Sequence, residues 1–290
     1  MQQENPQIGY LYAVAAALSY GAMSFYVHAN PYFYSAEQLV FYRGTLSALC
    51  LLPFCYRDLG RYFEKKGHML WVRSLSGASA VICYFYALQG TASANANLLF
   101  SCSPVFVCLL SWIFFREKIT KPEALGIAFI ILGNIFLYIP QHNPIPLWVG
   151  AVGTIGAFLA SIAYLSLGKA TKTYSSALIV FGFSLTSVIL ALLYPGSAWT
   201  PVHSIGLPYI LFVSLLGLLS QFLSTKSFTY LKSPVAAAIG RSSIIFSAFL
   251  DISIAHYSPA VLEILSYFTV IVGIYIVHRY RAKKTSQMSV

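Results

Sequence analysis

The stretch AAAIGRSSIIFSAFLDISIAH, residues 236–256, decides how this chain is read. At about 1.5 Å per helical residue it reaches roughly 31 Å, enough for the ~30 Å hydrocarbon core of a bilayer. Nearly all of its side chains are apolar or small, yet Arg241 stands close to the middle and Asp251 lies near the far end. An ionised side chain at bilayer depth costs roughly 2.5–3.5 kcal/mol on insertion scales. Two such groups in one span ask for partners or for a function.

The rest of the composition agrees with a lipid solvent. The 290 residues are 58% hydrophobic and 9% charged, with a mean hydropathy of +0.71, whereas a soluble domain carries about 25% charged residues. Such a chain cannot cover itself with polar surface, and the class it implies is an all-α polytopic membrane protein. The ten-residue alternating pattern of a membrane barrel is absent. The net charge of +10 has no soluble domain on which to form a basic face, so nucleic acid is excluded as a partner. The five cysteines (Cys50, Cys55, Cys83, Cys102, Cys108) lie in or beside apolar runs, at spacings that fit neither a disulfide framework nor a metal site. The opening residues MQQENPQIG lack the basic region of a signal peptide, so the first apolar run is expected to remain as a helix.

Windows of about twenty residues divide the chain into ten apolar runs, near 8–28, 35–56, 69–89, 93–115, 122–140, 146–168, 175–195, 205–225, 233–254 and 259–279. Ser233-Pro234 and Ser258-Pro259 read as N-caps followed by Pro at the first helical position, with Thr120-Lys121-Pro122 a similar restart. Basic residues fall on alternate connections: Arg57, Arg61, Lys65 and Lys66 with Arg73 just after, then Arg116, Lys118 and Lys121, then Lys169 and Lys172, Lys226 and Lys232, and the tail from Arg279. The opposite connections hold none, which predicts that both termini are cytoplasmic. Only Arg43 and Arg241 are left inside spans.

Ten spans divide as two five-helix units, 1–140 and 141–290, and an odd number of crossings makes a duplicated unit inverted. An internal echo recurs at one constant offset. It carries Gly126 and Gly133 onto Ser266 and Gly273 and Phe106 onto Phe246, and runs four and nine each open with small residues, TASANAN and SPVAAAIG.

The segment ALQGTASANANLLFSCSPVFVCLLSWIFFREKITKPEALGIAFIILGNIFLYI, with Ala87-Leu88, Ala94, Pro104-Val105-Phe106, Glu117, Gly126 and Gly133 as its landmarks, resembles EamA-type members of the drug/metabolite transporter superfamily. The resemblance implies a ten-helix transporter with two inverted repeats. The second half departs from the pattern, because Ile244 replaces the proline matching Pro104. The pair Arg43 and Arg241 is similar to the S-adenosylmethionine uptake branch of that family.

Counting along the helices puts Arg43 about 12 Å below the outer surface and Arg241 about 12 Å above the cytoplasmic one, with Asp251 about 27 Å along. Asp251, Glu37, Glu263, His28 and His256 then gather at the outer end as an acidic entrance above a basic floor. On this reading Arg241 or Arg43 clamps a substrate carboxylate, and Asp251, Glu37 and Glu263 attract a cation or carry a coupling proton. The deep tyrosines Tyr20, Tyr84 and Tyr164 offer stacking and cation–π walls, and the amides Asn97 and Gln221 offer hydrogen bonds. The competing reading has each arginine paired with a carbonyl or an acid to fix helix packing.

The expected function is secondary transport of a small zwitterionic or amino-acid-like metabolite, S-adenosylmethionine uptake included, by alternating access across a bacterial inner membrane. Export, or flipping of a lipid on the same fold, is the alternative. No nucleotide loop of the GxxxxGK[ST] kind occurs, no cofactor or metal is expected, and the chain is not read as an enzyme. The partners are a small-molecule substrate and the lipid bilayer, with a homodimer left open.

Overall fold

A computed structural model describes residues 6–64, 67–116, 120–139, 145–193, 199–231 and 233–287. Among them there are only helices and connections. They are α1 (Pro6–Ala29), α2 (Ala36–Cys55), a 3-10 segment (Tyr56–Phe63), α3 (His68–Gly90), α4 (Ser93–Phe100), α5 (Ser103–Phe115), α6 (Lys121–Phe136), α7 (Leu147–Ala170), α8 (Ser176–Leu193), α9 (Leu207–Tyr230), α10 (Ser233–Gly240), α11 (Ser243–Ser253) and α12 (Val261–Gln287).

Seven stretches are helical, long and apolar enough to cross a membrane, with a shorter one over Val261–Val277. Large apolar side chains such as Leu11, Phe54, Phe114 and Phe268 are mostly exposed, as a lipid-facing surface requires. The protein is a multi-pass helical membrane protein.

Local chemistry starts several helices. Ser35 caps α2 by accepting from the Gln38 amide at 3.3 Å. The Thr120 amide donates to the Glu123 carboxylate at 2.7 Å, part of a capping box at α6. The glutamate half of that device opens α12, where the Ala260 amide donates to Glu263 at 3.0 Å. This shifts the start of α12 to Val261, beyond the Ser258-Pro259 pair. The side chains of Ser233 and Pro234, and Glu117 with its neighbours, lie outside the described side chains.

Runs four and nine differ from expectation, since neither is one continuous helix. Run four is interrupted at Ser101–Cys102 because Pro104, in the first turn of α5, has no N–H to give the Phe100 carbonyl. Run nine is interrupted at Arg241–Ser242 without a proline. Gly240 weakens the helix there, and the Ser242 hydroxyl takes the Ile239 carbonyl at 2.7 Å. Both turns close with tighter i→i−3 bonds: Ser101 to Leu98 and Cys102 to Leu99, then Arg241 to Ala238 and Ser242 to Ile239. Arg241 is therefore a turn residue between two half-helices.

The element starts recur along the chain. One constant shift carries Ala36 onto Ser176, Ser93 onto Ser233, Ser103 onto Ser243 and Lys121 onto Val261, and the starts at Pro6 and Leu147, or His68 and Leu207, depart from it by a single position. Close packing recurs with the same shift. Antiparallel α6 and α12 cross where a Cβ on Gly126 would lie 2.8 Å from the Gly273 carbonyl and one on Gly133 3.0 Å from that of Ser266. Gly90 meets Val149 in the α3–α7 contact as Gly9 meets Tyr230 and Leu231 in the α1–α9 contact, and Gly44 of α2 rests on Ser184 of α8. Small residues let backbones approach this closely.

At Gly273 a Cβ would meet the Gly126 carbonyl at 2.7 Å, Cγ1 of Ile130 at 2.8 Å and the Ile130 amide at 2.9 Å, and the two backbone atoms cannot swing aside. Gly273→Leu is expected to destabilise the protein by about 1–3 kcal/mol, read as a lowered Tm in detergent. Gly60→Ala, which meets nothing within 4 Å, should melt like the parent. Equal melting of both variants would refute the close crossing of α6 and α12.

Candidate binding cavity

The two chain breaks face one another. The Phe100 carbonyl left free by Pro104 lies 3.5 Å from Nη1 of Arg241, a long contact. Nη2 of Arg241 donates to the Tyr164 hydroxyl, and the guanidinium stands 5.6 Å from the Tyr164 ring centroid. Tyr164 in turn stacks on Phe228 at 5.6 Å. Beside this group is a cavity of about 70 Å³, bordered by Tyr20, Arg73, Tyr164, Phe183, Gln221 and Arg241 among others. Its walls come from α1, α3, α4, α7, α8, α9, α10 and the turn after α10, so both halves of the chain build it.

Arg73 corrects the sequence reading, which left it with the cytoplasmic loop charges. It is 3% exposed, in the second turn of α3, and it borders the cavity. Gly77, one turn on, makes the room, because a Cβ there would collide with Nη1 of Arg73. The signal was present in the sequence, since Arg73 falls inside the apolar run 69–89. Arg43, 2% exposed, does not border the cavity. Its guanidinium lies 5.5 Å from the Phe183 ring centroid, and that of Arg73 lies 4.8 Å from the same ring. Gly217 makes room for Arg43 as Gly77 does for Arg73, and the shift that relates the helix starts also carries Gly77 onto Gly217.

Among the described residues, no carboxylate is within ion-pair distance of Arg43, Arg73 or Arg241; the ion pairs present join Arg61 to Asp58 and Glu64 at the surface. The Nε of each of the three arginines is buried with no hydrogen-bond partner. Cation–π contacts of this kind supply about 0.5–2 kcal/mol each, less than a buried charge costs. The cavity is thus positively charged without internal compensation.

The other expected site residues separate into walls and supports. Tyr20, Tyr164 and Gln221 border the cavity. Tyr84 is fully buried behind Tyr20, ring centroids 5.1 Å apart. Asn97 was expected to reach a ligand, and the structure corrects this. Its Nδ2 donates to the Ser93 carbonyl and to Ser247 Oγ, both at 3.0 Å, while its Oδ1 accepts from Tyr84 at 2.8 Å and Ser243 at 3.3 Å. Both donors and both lone pairs are used, so Asn97 ties α3, α4 and α11 together.

The expected acidic entrance is a closed polar seal. Glu37, Asp251 and Glu263 are all buried, and none borders the cavity. Asp251 accepts from Ser93 Oγ at 2.8 Å and from the Ala94 amide at 2.9 Å, which pins α11 to the first turn of α4. Glu263 accepts from Asn95 at 3.0 Å and from Tyr257 at 2.8 and 2.9 Å. Burial and the neighbouring Glu263 carboxylate push the Tyr257 phenol up, so it stays a donor. Glu37 accepts from Tyr86. At the same end Gln38 makes two bonds across the Thr200 backbone, at 2.6 and 3.1 Å, and Tyr209 donates to the Tyr26 carbonyl at 2.8 Å.

Comparison with known proteins agrees with this architecture. The chain is 28% identical over 245 residues to a pseudopaline exporter, CntI, of Pseudomonas aeruginosa, covering 83% of this chain and 85% of that protein. It is 28% identical to mouse solute carrier family 35 member G1, over 86% of this chain and 72% of that protein. An uncharacterized transporter of Helicobacter pylori is 25% identical over 80% of this chain and 81% of its own length. A solved crystal structure superposes on 95% of this chain and 98% of its own with a TM-score of 0.64 at 15% identity, a likeness of fold alone. Residues 7–139 match the model of the EamA-like transporter family.

Proposed function

We propose that this chain is a secondary transporter that carries a small, net-anionic, carboxylate-bearing metabolite by alternating access between two inverted five-helix repeats, 1–140 and 141–290. The observation that carries this reading is the cavity bordered by Arg73 and Arg241, two buried guanidiniums with no carboxylate partner. A planar guanidinium fork matches a carboxylate bidentately, and the rings of Tyr20, Tyr164 and Phe183 would hold the organic body. The recurrence of helices, breaks and glycine contacts at one constant shift supports the inverted repeat. S-adenosylmethionine fits less well, because its sulfonium cation would meet two guanidiniums and no lining carboxylate.

In this reading all ten apolar runs cross the membrane, counting α4 with α5 and α10 with α11 as one crossing each. The basic connections lie in the cytoplasm of a bacterial cell, with both termini there. Arg73 and Phe228 stand within two turns of helix ends on that side, so the cavity lies in the cytoplasmic half while the carboxylate seal closes the outer half. A cavity on that side is where an exporter loads and an importer releases. Export draws support from the pseudopaline exporter among the relatives, and everted vesicles measured beside whole cells read both directions.

Arg241→Ala is expected to abolish transport of labelled glutamate or succinate while the protein still inserts and keeps its Tm; unaltered transport would return Arg241 to helix packing. Gly77→Ala should push the Arg73 head aside and lower transport several-fold with little change in Tm. In a cysteine-free background, Ser224→Cys, at a half-buried position on the cavity wall, should react with a membrane-impermeant maleimide in everted vesicles and not in right-side-out ones. Labelling from the outer face alone would reverse the assigned orientation.

A further inference from the structure

We infer that the ligand of this cavity carries two acidic groups on one organic body, one held by Arg241 and the other by Arg73, with Arg43 adding a third positive charge from behind Phe183. The inference rests on the transporter reading and specifies its substrate.

Three guanidiniums, 2%, 3% and 5% exposed, converge on one region with no carboxylate in ion-pair distance. Six of the eight acidic residues are described, and each is engaged elsewhere: Asp58 and Glu64 with Arg61, Glu123 at its helix start, and Glu37, Asp251 and Glu263 in the outer seal. Each arginine retains a buried Nε–H aimed at no acceptor, and a buried donor left unpaired costs about 1–3 kcal/mol. A ligand with one acidic group can neutralise Arg73 or Arg241 and leaves the other charged in a dry interior. A ligand with two satisfies both.

The two anchors also come from different halves. Arg73 is on α3, and Arg241 is in the turn between α10 and α11. A doubly acidic ligand would therefore bridge the halves that must move against each other, whereas a singly acidic one would engage one half. Phe183 carries Arg43 on the same ring that meets Arg73, so the Arg43 charge reinforces the Arg73 end. Among the described residues, no acid lines the cavity to receive a cationic group.

The test uses the full-length protein in detergent and in proteoliposomes, with butyrate, succinate, glutarate, citrate and inorganic phosphate as probes at matched ionic strength. Binding is read by the ligand-dependent rise in Tm, and transport separately by counterflow of labelled succinate. Succinate, glutarate or citrate should bind at least tenfold more tightly than butyrate, a comparison that needs no variant. Arg73→Gln should remove most of that preference while butyrate binding changes little, and Arg57→Gln, in the exposed 3-10 segment, should leave both unchanged. If butyrate binds as well as the dicarboxylates, if phosphate alone binds, or if no probe raises the Tm, the inference is overturned. Mono- and dicarboxylates moved equally well would overturn it while leaving the transporter reading intact. Dicarboxylate binding with no counterflow of any probe would do the reverse.

Discussion

Positive charge that the protein does not neutralise is the constraint on which the interior depends. Three arginines inside a membrane protein cost roughly 8–10 kcal/mol if each is weighed on insertion scales, a sum comparable to the whole stability of an ordinary domain. Packing alone would favour leucine at each position. The structure meets the cost in part with ring faces, a phenol and one distant carbonyl. It shapes two helices to admit the charges, with Gly77 under Arg73 and Gly217 under Arg43. Among the described residues it does not supply a carboxylate, although buried carboxylates are present at the other end of the bundle. In the proposed reading, an anionic ligand is the missing part.

The scaffold around the charges explains how such a site can be both rigid and movable. Helix contacts through Gly126–Gly273, Gly133–Ser266 and Gly44–Ser184 bring backbones together across the two halves, and the constant shift along the chain makes each contact an echo of another or of itself. The breaks at Ser101–Cys102 and Arg241–Ser242 free backbone groups only where they face the cavity region, the one setting in which a membrane interior tolerates irregular backbone. The two ends of the bundle are not equivalent in chemistry. One is locked by Asp251 on Ser93 and Ala94 and by Glu263 on Asn95, and the cavity lies toward the other.

Much of this was legible in the sequence because the bilayer imposes strong rules. Apolar runs located the helix starts to within two residues, and the offset linking Gly126 and Gly133 to Ser266 and Gly273 was read as an internal echo, without the crossing that these residues form. Arg241, Tyr20, Tyr164 and Gln221 do border the cavity. Arg73 was misread because an arginine close to a helix end can turn outward to the interface or inward to the core, and the deciding feature, the space above Gly77, is tertiary. Asn97 was misread because its four partners come from residues 84, 93, 243 and 247, far apart in the chain. The break at Arg241 carries no proline to announce it. The carboxylates Glu37, Asp251 and Glu263 were read together at one end of the bundle, but their burial depends on which groups fold over them.

The central claim is that the charge on Arg73 and Arg241 is completed by a ligand. A high-resolution structure of the protein prepared in a dicarboxylate such as succinate tests it most directly. The account predicts density spanning the two guanidiniums, with acidic oxygens within hydrogen-bond distance of both and the Nε atoms no longer unpaired. Guanidiniums satisfied only by protein groups, with the cavity empty or filled by an acyl chain, would contradict it.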